Sequence, residues 1–398
     1  MNFSDRGLKY QGQGTRDHNL GCTKRVLLVT WNFPPKKGGM ENLNYDIFIH
    51  LSNGNDVFVI APHARKAIMD PRVFRAPIKG IIPFFFYALI KGMLLCARLD
   101  FNVILGGSLI VTPILYILRF FVPCVTAYAH GLDIIYANRI YQLFVRAATM
   151  RMNGIICNSR HTLSLLRDRF GYQAITCVIP PGISIDKYRG RHGEIFKGAA
   201  HDRRFILSIG RLTDRKGLIE FLENCFTRLA TEFPDLDFII AGDDPVEAVY
   251  HGVGYRDRLT RATERLGLTD RVHLLGWVDE DKKKQLLATC ECFVFPVLPA
   301  RFDVEGFGIV AIEAAASGRP TIAFNSGGVG DAVIEGRTGA LLAPGDYDGM
   351  LDVIHSVLEN RMKYNCELSE IRKQFDWEFL ARKYHVFFTQ CCQKFNNA

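Results

Sequence analysis

The chain has 398 residues, 48% of them apolar and 23% charged, enough to bury two separate cores and too apolar for a disordered protein. Its net charge of +8 fits a nucleic-acid binder, a membrane-surface protein or an enzyme for phosphorylated substrates, and only the placement of that charge separates them. The eleven cysteines are odd in number and lack paired C-x-x-C spacing, which argues against a disulfide scaffold and for reduced thiols at a cytoplasmic site.

Residues 1–20 are polar, rich in Gly, Gln and charge, and lack the apolar core of a secretion signal, so a disordered leader is expected. From Arg25 onward short β-branched runs alternate with longer helical patterns, the mark of a parallel α/β architecture. One series comprises 25–30, 57–60, 103–105, 124–127, 154–157 and 178–181; a second comprises 204–209, 237–241, 272–275, 292–295 and 321–324. Residues 186–203, charged and broken by Gly and His, read as the linker between them. The expected fold is α/β, with two Rossmann-like doubly wound domains, 21–190 and 191–374, facing a cleft and followed by a final helical segment at 375–398. Ligands of open α/β sheets collect at the carboxyl ends of the strands.

After the first strand, Gly38 and Gly39 let backbone N–H groups approach a phosphate before the next helix, although a plain strand-to-helix turn fits the same residues. His130 and Asp133 follow the strand at 124–127. After Ile209 come Arg211, which offers a planar fork to phosphate oxygens, and Lys216, a point charge. Asp235-Leu-Asp237 precedes its strand, on the wrong edge of the sheet for a metal site, and Asp243-Asp244 before Pro245 reads as a turn. Cys290, Cys292, Cys391 and Cys392 read as buried structural thiols, and no metal is expected.

The densest signal is Glu305 to Pro320, E-G-F-G-I-V-A-I-E-A-A-A-S-G-R-P. Gly306 and Gly308 permit close backbone approach to an anion, and the helix expected from Ile309 offers unpaired N–H groups at its start. Two carboxylates beside a diphosphate would repel it, so Glu305 and Glu313 are assigned to the hydroxyls of a sugar and a ribose.

Residues 72–99 combine Arg72, Arg75, Lys79, Lys91 and Arg98 with the apolar run from Ile81 to Ile90. This reads first as an interfacial membrane element too short to span a bilayer, with a helix packed in the first domain as the alternative. Leu109 to Val125, interrupted by Pro113, Arg119 and Pro123, reads as a buried crossover helix.

G-R-L-x-x-x-K-G at Gly210, the strand F-I-I-A-G-D, G-W-V at Gly276 and the Glu305 motif together resemble the retaining glycosyltransferases of the GT-B fold, family 4. The likeness runs from about Lys24 to the last helix. The P-P-x-x-G-G-x-E loop at Pro34 to Glu41 is similar to that of some phosphatidylinositol mannosyltransferases and polysaccharide or lipopolysaccharide transferases.

The resemblance implies transfer of a hexose from a GDP- or UDP-linked sugar to a hydroxyl of a lipid, lipid-linked or polysaccharide acceptor, with retention by front-face attack. It implies that Arg211 and Lys216 clamp the diphosphate, that Glu313 holds ribose, and that Glu305 and His130 stand at the reaction centre. By the same likeness Phe307, Gly308 and Ile309 contact sugar and phosphate, and Gly39 closes from the opposite domain. Gly242, Trp277 and Val278 lie near the base, Trp277 fitting core packing equally well. The last helix is expected to cross back to the first domain. No tightly bound cofactor, obligatory metal or nucleic acid is implied, and the site of action is the cytoplasm or the cytoplasmic membrane face. A sugar-nucleotide epimerase of the same fold and a non-catalytic nucleotide-sugar binder are the alternatives.

Overall fold

The computed structural model describes residues 24–396 apart from 37, 66–69, 189–202, 245–253 and 302. The leader expected at 1–20 and nearly all of the linker expected at 186–203 lie outside the described residues.

The first sheet contains β1 (Arg25–Val29), β2 (Asp56–Ala61), β3 (Val73–Arg75), β4 (Val103–Gly106), β5 (Cys124–Ala129), β6 (Gly154–Cys157) and β7 (Ile175–Val178), in the order β3-β2-β1-β4-β5-β6-β7. The second contains β8 (Arg204–Ile209), β9 (Leu236–Ala241), β10 (Val272–Gly276), β11 (Phe293–Phe295), β12 (Thr321–Phe324) and β13 (Gly339–Leu342), in the order β10-β9-β8-β11-β12-β13. Every pairing within both sheets is parallel.

Central parallel strands covered on both faces bury nearly all their side chains, which is why runs such as β1, β4 and β5 read as almost continuously apolar. In β1, Leu27 and Val29 join one core while Val26 and Leu28 join the core on the opposite face. Two strands differ from the sequence reading by addition: β3 and β13 were not expected. A third differs by position, because β7 ends at Val178 where a strand was expected to begin.

On the first sheet, α1 (Gly39–Leu51), α2 (Ile81–Cys96), α3 (Thr112–Leu118), α4 (Gly131–Ile135) and α5 (Arg139–Thr149) carry the features that matter for function. Helix α2 turns Phe84, Ala88, Gly92 and Leu95 inward. A methyl on Gly92 would come within 2.8 Å of Leu118, so the small residue lets α2 and α3 approach closely. The opposite face of α2, with Ile82, Phe86, Ile90 and Leu94, is exposed. The basic residues around it behave differently from the sequence expectation. Arg72 pairs with Asp70 at 2.9 Å, Arg75 donates to the Pro34 carbonyl at 2.7 Å, and the Lys91 ammonium sits 4.1 Å from the centre of the Phe74 ring. The segment is therefore part helix, part strand, and much of its charge is committed inside the domain.

Among the described residues no helix is long and apolar enough to cross a membrane. The 109–125 stretch forms a short turn of helix, α3 and the start of β5, with Leu115 and Leu118 buried.

The C-terminal helix, Trp377–Asn396, leaves the second sheet and completes the core of the first. Trp377, Leu380, Tyr384, Phe387, Phe388 and Cys391 pack there with Val26, Leu28 and Phe48. The Trp377 ring stacks on His50 with centroids 5.0 Å apart.

Candidate active site

The carboxyl ends of both sheets face a common cleft. On the second sheet, Gly210, Gly242 and Gly276 terminate β8, β9 and β10 in direct backbone contact, with Gly242 N donating to the Gly276 carbonyl at 2.7 Å. A Cβ on Gly242 would lie 1.8 Å from the Gly210 carbonyl oxygen, and its φ of +145° is itself unfavourable for other residues. Trp277, directly after this junction, is 61% exposed, whereas Val278 is half-buried against the core. Trp277 is thus a surface aromatic at a strand end, and the core-packing reading of it does not hold.

Beyond β8 the chain makes a single 3-10 turn at Asp214–Lys216. It buries two cations side by side, Arg215 and Lys216, and aims both at the Glu305 loop. Lys216 Nζ donates to Glu305 Oε2 at 2.7 Å, and an Arg215 N–H donates to the same oxygen. Arg215 also donates through Nε to Asp303, and Lys216 lies 4.5 Å from the Phe295 ring centre.

Burial pushes Lys216 down to about 8, against the pull of Glu305. Burial works to raise Glu305, but Arg215 and Lys216 overcome it and hold the carboxyl at about 2. Glu305 is therefore a fixed anion at neutral pH. Arg215 and Asp303 were missed in the sequence. Their signal was three basic or acidic residues in one turn, Asp214-Arg215-Lys216, and an acid two places before Glu305. Arg211, by contrast, is exposed and has no hydrogen bond or ion pair among the described residues. Its charge acts on Lys216 by lowering that lysine's proton affinity.

Gly308, at φ +91°, caps the helix Ile309–Ala316, and a Cβ there would meet Phe295 at 2.8 Å. Phe307 is buried against Phe375, and Ile309 is half-buried against the same core. Glu313, one face further along the helix, accepts on Oε1 from Tyr188 Oη at 2.7 Å and from Lys283 Nζ at 2.8 Å. Its other oxygen, Oε2, is buried and has no hydrogen-bond partner in the structure. A buried carboxylate oxygen left without a donor is costly, so this one is matched to a hydroxyl that arrives with a ligand. Tyr188 and Lys283 are the second pair of site residues that sequence reasoning missed, since each lies far from Glu313 along the chain.

On the first sheet, His130 follows β5 and is buried. Its Nε2 lies 3.2 Å from the Gly107 carbonyl, which can only accept, so Nε2 carries a proton. Asp133 accepts from the backbone N–H of His130 at 3.2 Å and from Leu109 at 3.0 Å, tying α4 to the loop after β4. Burial raises the Asp133 carboxyl, opposed by His130. The Gly38-Gly39 loop is fixed by Asn32, which donates to the buried Glu41 at 2.9 Å. A Cβ on Gly38 would collide with Glu41 at 2.3 Å, whereas one on Gly39, the first residue of α1, would meet nothing within 4 Å.

The two halves touch beside these groups. A methyl on Gly131 would come within 2.7 Å of Val304, and one on Gly306 within 2.7 Å of Asn158. Arg160 pairs with Asp331 across the same seam. His130 and Glu305 are each next in sequence to a residue of this contact. The two aspartate pairs weighed as metal ligands have other partners: Asp237 sits at the amino end of β9, 3.2 Å from Arg271 and 3.0 Å from His273. Asp244 accepts from the backbone N–H groups of Gly254 and Arg256.

The family model for Glycosyl transferases group 1 matches residues 194–375, and that for Glycosyltransferase Family 4 matches residues 37–187. The chain belongs to the family 4 glycosyltransferases. It is an enzyme of the GT-B fold that uses a nucleotide sugar.

The transferase is 26% identical over 356 residues to a GDP-mannose-dependent alpha-(1-6)-phosphatidylinositol monomannoside mannosyltransferase of Mycolicibacterium smegmatis, covering 84% of this chain and 89% of that one. A protein of the same description from Mycobacterium tuberculosis is 26% identical over 386 residues, with 90% and 96% covered. Among solved structures, sucrose-phosphate synthase from Thermosynechococcus elongatus superposes with a TM-score of 0.75 at 20% identity, covering 92% of this chain and 98% of the other. Anabaena HepE in complex with UDP-glucose gives a TM-score of 0.71 at 21% identity, with 92% and 100% covered.

Proposed function

We propose that the transferase moves a hexose from a GDP- or UDP-linked donor to a hydroxyl of a lipid, lipid-linked or polysaccharide acceptor, with retention at the anomeric carbon. The observation that carries this reading is the unpartnered, buried Oε2 of Glu313, set about one turn into the helix whose N-terminus adjoins Glu305. A ribose hydroxyl donating to that oxygen places the diphosphate near the Gly308 end of the helix and the sugar toward Glu305.

In this arrangement Glu305, held ionised by Arg215 and Lys216, stabilises positive charge that builds on the anomeric carbon. Arg211, at the open edge, and Lys216 face the departing diphosphate. Glu305 need not act as a nucleophile: both cations hold its Oε2, and the charge they draw off makes the carboxylate a poor one. Bond cleavage therefore gives a short-lived oxocarbenium-like ion pair, and the leaving phosphate accepts the acceptor's proton on the face it has just left. His130, with Nε2–H committed to Gly107, serves as a fixed wall near the sugar. No step is assigned to a metal; these cations supply the charge.

The test is thermal stabilisation by GDP, UDP and pyrophosphate, followed by turnover of GDP-mannose and UDP-glucose with the product anomer read by NMR. Stabilisation by one nucleoside diphosphate and a retained anomer are expected. No stabilisation by either nucleotide, or an inverted product, would overturn the reading.

A further inference from the structure

Helix α5 separates two grooves of opposite character. On one side, about 550 Å³ of apolar space lies between α2, α3 and α5, lined by Ile82, Phe86, Ile117, Tyr141 and Phe144 among others. On the other side, about 620 Å³ is lined by Arg139, Arg146, Arg169 and Arg301, with Ile134 and Ile135 of α4. No Asp or Glu lines that second groove among the described residues, and Arg139, Arg146 and Arg169 have no ion pair with a described residue. Between the grooves the exposed ridge of α5 carries Ile140, Leu143 and Phe144, which are 70%, 68% and 63% exposed.

We infer that the two grooves form one site for a lipid bearing a phosphate or diphosphate headgroup, the headgroup among the arginines and the chain along Phe86 and Phe144. Arg139, Arg146 and Arg169, without a carboxylate partner among the described residues, call for an anion, and the guanidinium fork matches phosphate oxygens. A soluble phosphate would leave the apolar ridge in water, and an apolar protein partner would leave Arg139, Arg146 and Arg169 unneutralised. A lipid at a membrane surface satisfies both. The arginine groove also adjoins the reaction centre: α4 begins one residue after His130, and Arg301 lies two residues before Asp303. The lipid's head thus arrives beside the cleft. This inference rests on the proposed acceptor chemistry and narrows it to a phosphate-bearing lipid.

The experiment is co-sedimentation of the full chain with vesicles of phosphatidylcholine alone or mixed with phosphatidylglycerol, run beside thermal stabilisation by GDP and UDP. Partition to the mixed vesicles and not to the neutral ones is expected, with release at high salt. Arg139→Ala with Arg146→Ala and Arg169→Ala is expected to weaken partition about fivefold per arginine. Leu143→Ser with Phe144→Ser is expected to weaken it on the order of tenfold or more. All of these positions are exposed or line an open groove, and the nucleotide stabilisation measured in the same samples reports both folding and the donor reading independently. Partition equal in either variant and the parent, binding that survives high salt, or glycerol 3-phosphate stabilising the chain in place of vesicles would each overturn the inference.

Discussion

Lys216 and Glu305, 89 residues apart in the chain, meet at 2.7 Å in the wall of the cleft. The contact joins the loop after β8 to the loop after β11 and gives a partly buried carboxylate two cationic partners, the second being Arg215. An anion fixed in this way cannot reorient as charge develops opposite it, which is what electrostatic preorganisation requires.

Glu305→Gln keeps the shape and removes the charge. Turnover is expected to fall on the order of a hundredfold to a thousandfold, while nucleoside diphosphate affinity changes little. Initial rates and calorimetric titration on the same preparation check both halves, and a variant with parental turnover removes Glu305 from the reaction centre.

Glu313→Gln turns one carboxylate oxygen into a donor that repels a ribose hydroxyl proton. Nucleoside diphosphate binding is expected to weaken by about 1–3 kcal/mol, with pyrophosphate binding unaffected because it carries no ribose. Equal loss for the two ligands would mean that the substitution disturbed the Tyr188 and Lys283 contacts instead.

Lys216, lowered to about 8 by burial, is charged below that value and neutral above it. Its attraction for a diphosphate is therefore present at pH 7 and fades as pH rises past 8, with the midpoint moved upward by the bound anion itself. Donor dissociation constants measured from pH 6 to 9.5 are expected to rise at the alkaline end, and the Lys216→Met profile to lose that rise.

Asp46 on α1 is raised to about 6 by burial, opposed by Lys187 and reinforced by Glu280 and Glu313. The native state keeps this proton after the unfolded chain, at its ordinary value of 3.8, has lost it. The associated stability is full below 3.8 and gone above 6. At pH 7.5, then, Asp46→Asn is expected to be more stable than the parent by about 1–2 kcal/mol, after allowance for partial exposure, with no difference at pH 3.5. Denaturant midpoints at the two pH values decide it.

Much of the scaffold was legible because buried parallel strands advertise themselves: β1, β8 and β12 appear as mostly apolar runs with turn residues at their ends. β3 was hidden because Val73-Phe74-Arg75 is three residues long and half-buried within a basic stretch. β13 was hidden because it opens on Gly339, where any Cβ would strike the Thr321 carbonyl at 1.9 Å. The Glu305 and Glu313 motif stood out by local spacing. Arg215, Asp303, Tyr188 and Lys283 did not, since each acquires meaning only through a partner brought close by the fold. The basic residues of 72–99 show the converse: their charge was plain in the sequence, but their partners Asp70, Phe74 and the Pro34 carbonyl were not.

The C-terminal helix has a consequence for synthesis. The first sheet, Arg25 to Val178, owes a strip of its core to residues 377–391, which are made only after the whole second sheet. On the ribosome that strip, including Phe48 and the His50 face that Trp377 covers, stays open to water while the whole second domain is being translated. The first domain thus waits, sticky and incomplete, and the nascent chain needs shielding until the turns of that helix arrive.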